Sequence, residues 1–588
     1  MLSQRLARQN SRYTILRTIV FLGMIFAFAA GYDGLSGAAA VGLFLLLLFL
    51  ALVRSHNRLH SRQALLDSHQ TVVFFLLDRF NGKWKNSSET GEAFLHADRP
   101  QEKDLHIFGT ASLYQYLCFA RTLRGRKRLA RALTPLPPAV AKITARQQAV
   151  AELIAHPRLC LNLAARGALL PDGHDTTDLL DGLKKELPAS SHAMLRNRTA
   201  WILPALTMLS LILAGLDKLS VSVPGILAAL QFLIAMLFFR QNQQILSPLM
   251  KLRHELHQYE ALFRELEDTS FQSPALCAIH EQLKKTGASK SLHRLAVLTD
   301  RAALSRNLFF FFFANTLLLW DCHCSAAFMC WREKAAANLP GWIDSWSEME
   351  VLLSLSVIGH TRQTWTFPVF SEGSPSLTAH SITSLLIAED LAVPNHADFG
   401  AETCIITGSN MSGKTTYLRT LASSAILAYA GAPVCAERFS LTPMPVFTSI
   451  QVSDDLSQGI STFYAELLRI KNMVEVSRRK TPLFLCIDEI FKGTNSADRI
   501  VGASEAIRHL TRPWCITLVT THDFELCELR SPNDVPVKNY HFEEYYEDNK
   551  IKFDYTIKPG RCQTTNARYL LKMAGIIPEE KSPDTPID

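Results

Sequence analysis

The chain has 588 residues, of which 48% are hydrophobic and 20% are charged, and its formal net charge is +7. This length accommodates about two to four domains, and the composition excludes a disordered or fibrous protein. The 12 cysteines are scattered without even pairing, which favours thiols in a reducing compartment over a disulfide framework or a zinc site.

The basic excess is concentrated beside apolar segments. Ten arginines flank such segments, and the other 51 of the 61 basic residues are balanced by 54 acidic residues. The pattern therefore indicates positive residues beside membrane spans rather than a basic nucleic-acid footprint. The ten residues are Arg5, Arg8, Arg12, Arg17, Arg54, Arg58, Arg62, Arg196, Arg198 and Arg240.

Two apolar stretches lie near the start of the chain, at 13–32 and 35–53. Each is close to the about 20 residues that a helix needs to cross a bilayer. Arginines at both outer ends place both termini of the pair on the cytoplasmic side. We therefore predict a transmembrane hairpin within 1–62. Buried helices of a soluble core are one alternative, and a cleaved signal peptide is a second, because Ala27-Phe28-Ala29 mimics a cleavage site.

A second pair of apolar stretches, at 199–216 and 219–239, repeats this arrangement. It predicts a second transmembrane hairpin within 196–242, although buried helices of a soluble core would give a similar pattern. A shorter stretch at 308–320 contains consecutive phenylalanines. Because it is only about 13 residues long, we predict a buried helix of the soluble part there.

The remaining chain changes character along its length. Helical apolar spacing over 113–153 is interrupted by the proline-rich segment 134–138, which predicts a helix break. Apolar residues from Leu246 to Leu266 recur at intervals of three and four, which predicts a long amphipathic helix. From about Ser381, short apolar strands alternate with glycine turns and helices, which indicates an α/β sheet.

Residues 408–415 match the pattern G-x-x-x-x-G-K-[ST], between a predicted strand at 404–407 and a predicted helix at 416–430. Glycines let backbone amides surround phosphates, and the helix N-terminus adds positive potential. We expect Lys414 to reach the β- and γ-phosphates of ATP and Thr415 to bind Mg²⁺. The predicted nucleotide-binding residues are Gly408, Ser409, Asn410, Met411, Ser412, Gly413, Lys414, Thr415 and Thr416.

Two further apolar runs, 483–487 and 515–519, are typical of buried parallel strands. Asp488, Glu489 and His522 follow these runs. They should therefore lie at one edge of the sheet, where open α/β sheets bind ligands. We predict that Asp488 is a Mg²⁺ ligand and that Glu489 is the base that activates water. His522 is predicted to sense the γ-phosphate, a structural role being the alternative.

The motifs together resemble those of the MutS family of ATPases. The loop 408–415 is similar to the family's G-P-N-M-G-G-K-S, and Asn410-Met411 makes the match narrower than a general phosphate loop. The segment 454–463 resembles D-D-x-x-x-G-x-S-T-F, and 488–496 resembles D-E-x-G-R-G-T-S-T. Further similarities are Thr521-His522, Lys558-Pro559-Gly560, Ala574-Gly575, Thr122-Leu123-Arg124-Gly125, Pro135-Leu136 and the segment 146–150.

The resemblance covers about Leu105 to the C-terminus, apart from the second hairpin. It implies a homodimer in which the segment around Gly459, Ser461 and Thr462 completes the partner's ATP site. A simpler alternative is that Ser461 or Thr462 caps the following helix. The resemblance also implies DNA binding.

The chain departs from the family pattern at several positions. Serines stand at 409 and 412, Phe491-Lys492 replaces Gly-Arg, and Asn495 replaces a serine. These changes retain the phosphate and metal chemistry but can alter turnover. Because residues 1 to about 100 are assigned to a hairpin and a linker, we expect the N-terminal mismatch-reading domain to be lacking.

The predicted fold is an α/β P-loop ATPase domain of the ABC/MutS type with a mainly α-helical core and lever region and two transmembrane hairpins. The predicted domains are a transmembrane hairpin at 1–62, a linker at 63–104, the first half of the helical core at 105–195, the second hairpin at 196–242, the lever and second half of the core at 243–380, and the ATPase domain at 381–588.

Three functions agree with these features. The first is an ATP-dependent clamp on mismatched or branched DNA, tethered to the cytoplasmic membrane with its ATPase domain on the cytoplasmic side. The second is a homodimeric machine that remodels the bilayer or transports a substrate, although the spans contain few of the polar residues that mark a pathway. The third is a nucleotide-dependent protein scaffold. The basic residues of 121–131 either contact DNA phosphates or form a solvated or lipid-facing helix surface.

Overall fold

The computed structural model of the chain describes residues 2–32, 37–173, 175, 193–451, 462–491, 496–530, 534–547 and 550–562. The chain divides into two compact units. The first unit comprises Met1–Leu77, Phe119–Arg126 and Ala155–Leu353. The second unit comprises Asp78–Cys118, Lys127–Ile154 and Ser354–Asp588.

The α-helices precede the sheets along most of the chain. Their bounds are α1 Leu2–Tyr32, α2 Ala38–Phe80, α3 Pro100–Asp104, α4 Leu113–Leu117, α5 Leu123–Ala132, α6 Val140–Ala155, α7 Pro157–Gly167, α8 Ala193–Gly215, α9 Ser222–Lys251, α10 Arg253–Asp268, α11 Pro274–Thr286, α12 Ala288–Leu304, α13 Leu308–Leu318, α14 Trp320–Ala335, α15 Leu339–Thr361, α16 Lys414–Ala430, α17 Thr462–Ser477 and α18 Ser496–Leu510.

Helices α1 and α2 pack against each other in antiparallel directions. The ring centroids of Phe21 and Phe49 are 5.6 Å apart, and the Asn10 side-chain amide donates to Gln63 at 2.6 Å. The sequence predicts this pairing, but α2 continues well beyond the predicted end of the apolar stretch. It has 43 residues and ends only at Phe80, so the first part of the predicted linker is helical.

Within the described residues, three helices are long and apolar enough to cross a membrane. They contain the segments Gln9–Gly31, Ala40–Phe80 and Ser222–Lys251. The apolar segment Ala200–Gly215 of α8 is shorter, so the second predicted hairpin contains one helix of full length. A fourth candidate arises only if α13 and the helices after it are counted as one span with an 80° bend.

The prediction that 308–320 forms a buried helix is wrong. The helix α13 forms, but Phe309 is 76% exposed and Phe313 is 62% exposed. Other phenylalanines of this helix pack on α9, with the rings of Phe311 and Phe239 at 5.5 Å. The first unit therefore presents an apolar aromatic surface beside one of its candidate membrane helices. Local length and composition do not show whether an apolar helix is covered.

The start of α5 depends on a carboxylate that is distant in sequence. Glu350 of α15 is buried and accepts hydrogen bonds from the backbone amides of Arg121 at 2.8 Å and Thr122 at 3.0 Å, and also from the Thr122 hydroxyl. A Cβ atom at Gly125 would collide with the Glu350 carboxylate. The segment Thr122-Leu123-Arg124-Gly125 thus begins α5. Because Gly125 has no side chain, the Glu350 carboxylate fits beside this first turn.

Burial raises the pKa of Glu350 from 4.5 to about 7, although its hydrogen bonds with Thr122 and Arg121 oppose this shift. The folded state then retains a proton that the unfolded chain has released. The free energy of unfolding should therefore fall as the pH rises from 4.5 to about 7. We expect Glu350→Gln, which cannot titrate, to gain a few degrees in melting temperature relative to the native chain over this range.

Thermal unfolding of the detergent-solubilised full chain at successive pH values measures this effect. The matched control is Glu348→Gln on the same helix, for which we expect a profile parallel to that of the native chain. A Glu350→Gln profile that is also parallel to that of the native chain would contradict the assignment.

The second unit contains the sheets. Their strands are β1 Val369–Phe370, β2 Leu377–Ile382, β3 Asn395–Phe399, β4 Thr403–Thr407, β5 Arg438–Leu441, β6 Val446–Ser449, β7 Leu483–Asp488, β8 Cys515–Thr521, β9 Val537–His541, β10 Glu544–Glu547, β11 Lys550–Phe553 and β12 Lys558–Pro559. Strands therefore begin earlier than the predicted change at Ser381.

The larger sheet has six strands in the order β12-β9-β4-β8-β7-β6, and all but the edge strand β12 run parallel. Strands β4, β7 and β8 are buried along their whole length, as their continuous apolar runs predict. The four-stranded sheet has the order β1-β5-β2-β3, and β10 and β11 form a separate hairpin. The parallel arrangement brings the carboxyl ends of β4, β7 and β8 to one edge.

Part of the predicted helical core belongs to this second unit. Val446 N of β6 donates to Pro135 O at 3.0 Å, and a Cβ atom at Gly431 would lie 2.7 Å from Arg146 Cβ. The segments 78–118 and 127–154 therefore form one compact unit with the sheets. The sequence instead predicts that 105–195 is one continuous domain.

Candidate functional site

The loop after β4 has a backbone that glycine makes possible. Gly408 has φ 150° and Gly413 has φ 108°, values that side-chain-bearing residues rarely adopt. A Cβ atom at Gly408 would lie 2.8 Å from Phe542 O and 2.9 Å from Ser412 Oγ. The loop therefore follows β4 closely and turns into α16, which begins at Lys414.

Lys414 and Thr415 lie at the start of α16. The Lys414 ammonium group donates to Gly408 O at 2.7 Å and to Ser409 O at 2.8 Å, and the side chain is only 4% exposed. The Thr415 hydroxyl lies 3.0 Å from both carboxylate oxygens of Asp488. The structure thus brings the cation, the hydroxyl and the acidic residue that the sequence predicts into one site.

Asp488 ends β7 and is held by the neighbouring strand. The Thr520 hydroxyl of β8 donates to Asp488 Oδ1 at 2.5 Å. The next residue, Glu489, has φ 52°, and its amide donates to Thr520 O at 3.0 Å. A non-glycine residue in this region carries a strain of about 1–3 kcal/mol. Thr520 therefore orients both acidic residues, a role that the sequence analysis missed.

Glu489 and His522 lie close together, as the strand-end argument predicts. His522 Nε2 is 3.1 Å from Glu489 Oε1 and 2.9 Å from Asn410 Oδ1. Glu489 is 25% exposed and His522 is 38% exposed, so both remain accessible to solvent. The histidine connects the tip of the phosphate loop with the acidic pair.

A cavity of about 470 Å³ extends from the phosphate loop. One wall consists of residues 409–417 and Glu489. Another part of the lining, the apolar wall, contains Ile382, Ile387, Leu391, Val393, Phe542 and Tyr555, and the polar residues Thr383, Ser384 and Asn395 also line the cavity. The cavity therefore combines polar groups with apolar surface that can contact a flat apolar group. The residues of the apolar wall come from distant parts of the chain, and no local motif indicates them.

The serine at 409 has a specific contact. Its hydroxyl donates to Glu544 Oε2, so the first residue after Gly408 is tied to the hairpin β10–β11. The Ser412 side chain is buried, with 1% of the residue exposed. Met411 at the loop tip is 84% exposed, and Asn410 and Thr416 are also exposed.

The segment predicted to reach a partner's site lies mostly outside the described residues. This applies to Gly459 and Ser461, as well as to the predicted departures at Lys492 and Asn495. Thr462 is the first residue of α17. In the same helix, Glu466 is 5% exposed and accepts a hydrogen bond from Phe491 N at 2.6 Å. The helix after this segment is thereby attached to the loop that follows Glu489.

The family model of MutS domain V matches residues 404–580. The DNA mismatch repair protein MutS of Streptococcus equi subsp. equi is 32% identical over 240 residues, which are 40% of this chain and 28% of that protein. The MutS protein of Roseiflexus sp. is 33% identical over 196 residues, or 32% of this chain and 18% of that protein.

A MutS protein of Thermus thermophilus is 34% identical over 185 residues, which are 31% of this chain and 22% of that protein. The aligned part thus spans less than a third of each of these relatives. The matched domain contains the phosphate loop, the acidic pair and His522. Over residues 404–580, this chain is therefore similar to MutS domain V.

Proposed function

We propose that this protein is a membrane-anchored ATPase that binds and hydrolyses Mg²⁺·ATP and couples hydrolysis to DNA binding. The observation that carries the proposal is that Lys414, Thr415 and Glu489 line one cavity and that Asp488 lies 3.0 Å from the Thr415 hydroxyl. MutS domain V supports the ATPase class. The relatives named as DNA mismatch repair proteins support DNA as the partner.

The residues present fit a magnesium nucleotide. Backbone amides of 409–413 and the Lys414 ammonium group would hold the phosphates, and the apolar wall with Phe542 would face the base. Thr415 and Asp488 are oxygen ligands of the kind that Mg²⁺ prefers, already 3.0 Å apart. Mg²⁺ would neutralise charge on the phosphates during transfer.

Glu489 is proposed as the group that orients and deprotonates the attacking water. Its carboxylate is beside the phosphate loop and partly exposed, so water can reach it. His522 lies 3.1 Å from Glu489 and 2.9 Å from Asn410 at the loop tip. It would sense the γ-phosphate by hydrogen bonding. In a homodimer, the segment with Gly459, Ser461 and Thr462 would complete the partner's site.

We place the membrane anchor in the predicted domains 1–62 and 196–242, and the nucleotide site on the cytoplasmic side. The exposed apolar surface of α1, α2 and α9 supports this proposal, as in Phe26, which is 78% exposed, and Leu237, which is 76% exposed. A helix that presents such side chains to water would be unfavourable by about 25 cal/mol per Å² of apolar surface. The domain boundaries 63–104, 105–195, 243–380 and 381–588 are proposed with it.

The arginines proposed to contact DNA are partly engaged within the first unit. Arg126 lies 2.5 Å and Arg121 3.2 Å from Asp172, and Arg124 lies 2.6 Å from Asp344. These ion pairs are partly exposed, so phosphates can still compete for the guanidinium groups. They reduce the net positive charge of the segment, which argues for weak, salt-sensitive contacts with DNA.

ATP turnover of the full chain in detergent or nanodiscs tests the proposed function. We expect magnesium-dependent turnover that rises severalfold with duplex, mismatched or branched DNA and falls back at high salt. Stimulation by anionic lipid without any effect of DNA would instead favour the membrane machine. Turnover that responds to neither would favour the scaffold. An absence of magnesium-dependent ATP binding would exclude the ATPase altogether.

A further inference from the structure

Asp104, the last residue of α3, is a buried carboxylate in the second unit, with 0% of the residue exposed. Its Oδ2 accepts a hydrogen bond from the Thr448 hydroxyl at 2.7 Å and from Ile450 N at 3.0 Å. Its Oδ1 accepts from Gln451 N at 3.2 Å. These donors belong to the end of β6 and the residues directly after it. The carboxylate therefore fixes the chain immediately before residue 452.

The same carboxylate also holds the helix that follows the segment 452–461. Arg469 of α17 places Nη1 3.1 Å from Asp104 Oδ1 and 3.0 Å from Oδ2. Arg469 additionally donates from Nη2 to Gln451 O at 3.4 Å. Asp104 thus connects both flanks of this segment, although it lies more than 300 residues earlier in the chain.

A third contact reaches the helix of the phosphate loop. Asp104 O accepts a hydrogen bond from Arg419 Nε of α16 at 2.9 Å. Arg419 lies one helical turn after Thr415, and its guanidinium group interacts electrostatically with Asp488 as well as with Asp104. Burial lowers the pKa of Arg419, and these two carboxylates oppose that shift. One residue therefore joins the phosphate-loop helix to both flanks of the segment.

The arrangement requires a carboxylate rather than an amide. Both carboxylate oxygens of Asp104 accept hydrogen bonds. Two of the donors are backbone amides, whose direction is fixed by the main chain. In asparagine, one oxygen is replaced by an NH₂ group, which would face an N–H or O–H donor. The partly exposed guanidinium group of Arg469 would also lose its counter-charge.

We propose that Asp104 is a positioning residue for ATP turnover, which sets the flanks of 452–461 relative to the phosphate-loop helix without touching the nucleotide. This inference rests on the proposed ATPase function. Because ATP binding uses the loop 408–415 and the apolar wall of the cavity, loss of Asp104 should leave binding in place. Turnover should fall, because the helix α17 that Asp104 holds through Arg469 also holds the loop after Glu489, through the hydrogen bond from Phe491 N to Glu466.

The experiment compares Asp104→Asn with the native full chain in detergent. We expect kcat for ATP to fall at least about tenfold, while the Kd for Mg²⁺·ATP, measured by equilibrium binding, changes less than about threefold. Arg469→Gln should show the same split and remains informative if Asp104→Asn does not fold. The double variant should be no worse than the more impaired single variant, because both act through one contact.

Glu402→Gln is the matched control. Glu402 is another buried carboxylate of the second unit, 3% exposed and paired with Lys538 at 2.6 Å, but it does not contact the flanks of 452–461. Its kcat should stay within about twofold of the native value. The inference is overturned if Asp104→Asn and Arg469→Gln retain native kcat, or if Glu402→Gln loses as much. A native chain without turnover would instead refute the proposed function.

Discussion

Lys414→Ala is expected to reduce the affinity for Mg²⁺·ATP at least about a hundredfold. The ammonium group is buried among the carbonyls of the phosphate loop, and alanine removes the side-chain cation that would balance part of the phosphate charge. A hydrogen bond to a charged group contributes about 1.5–3 kcal/mol to the free energy of binding. Loss of two such bonds between Lys414 and the phosphates would therefore lower the affinity by at least this factor. Equilibrium binding of a fluorescent ATP analogue to the full chain measures the effect.

Lys471→Ala provides the matched control. Lys471 lies on α17 of the same unit and forms an exposed ion pair with Glu475, which contributes little to stability. We expect its affinity for ATP to stay within about twofold of the native value, because a pair of this kind contributes at most about 1 kcal/mol. Native affinity in Lys414→Ala would contradict the assignment of the loop as the phosphate site.

Glu489→Gln should bind Mg²⁺·ATP normally but hydrolyse it about 10²–10⁴ times more slowly. Glutamine retains the size and the backbone geometry of glutamate but cannot accept a proton, which removes the proposed general base. Asp488 and Thr415 are unchanged, so the metal ligands remain in place. Single-turnover measurements with saturating protein separate the chemical step from binding and product release.

Glu505→Gln is the control for this prediction. Glu505 lies on α18 and pairs with Arg508 at 2.7 Å, with both side chains exposed. Its single-turnover rate should equal that of the native chain. If Glu489→Gln also retains the native rate, the base lies elsewhere. If it instead loses binding, Glu489 serves the metal or the nucleotide rather than the water.

The phosphate site follows from local sequence because its chemistry is local. Gly408 and Gly413 are needed where the backbone turns at positive φ, and Lys414 and Thr415 begin the helix that follows. Asp488, Glu489 and His522 follow strands whose continuous apolar runs mark them as buried and parallel. Parallel strands end at the same edge, so these residues had to meet.

The residues that hold the site were not predictable in this way. Thr520 bonds Asp488 only because β7 and β8 are neighbours in register, and sequence alone does not give register. Asp104 lies in the predicted linker 63–104, yet it joins three elements of the second unit. Polar side chains with partners hundreds of residues away leave no periodic signal.

The sequence by itself determined the class of the proposed nucleotide site, the edge of the sheet where its residues lie and the apolar helices α1, α2 and α9. These depend on spacing within a strand, a loop or a helix. Only the tertiary structure decided that phenylalanines of α13 are exposed, that Glu350 binds the amides directly before α5 and that Asp104 is buried and bonded to the phosphate-loop helix. Burial and long-range pairing depend on which surfaces meet, and that is settled by packing of the whole chain.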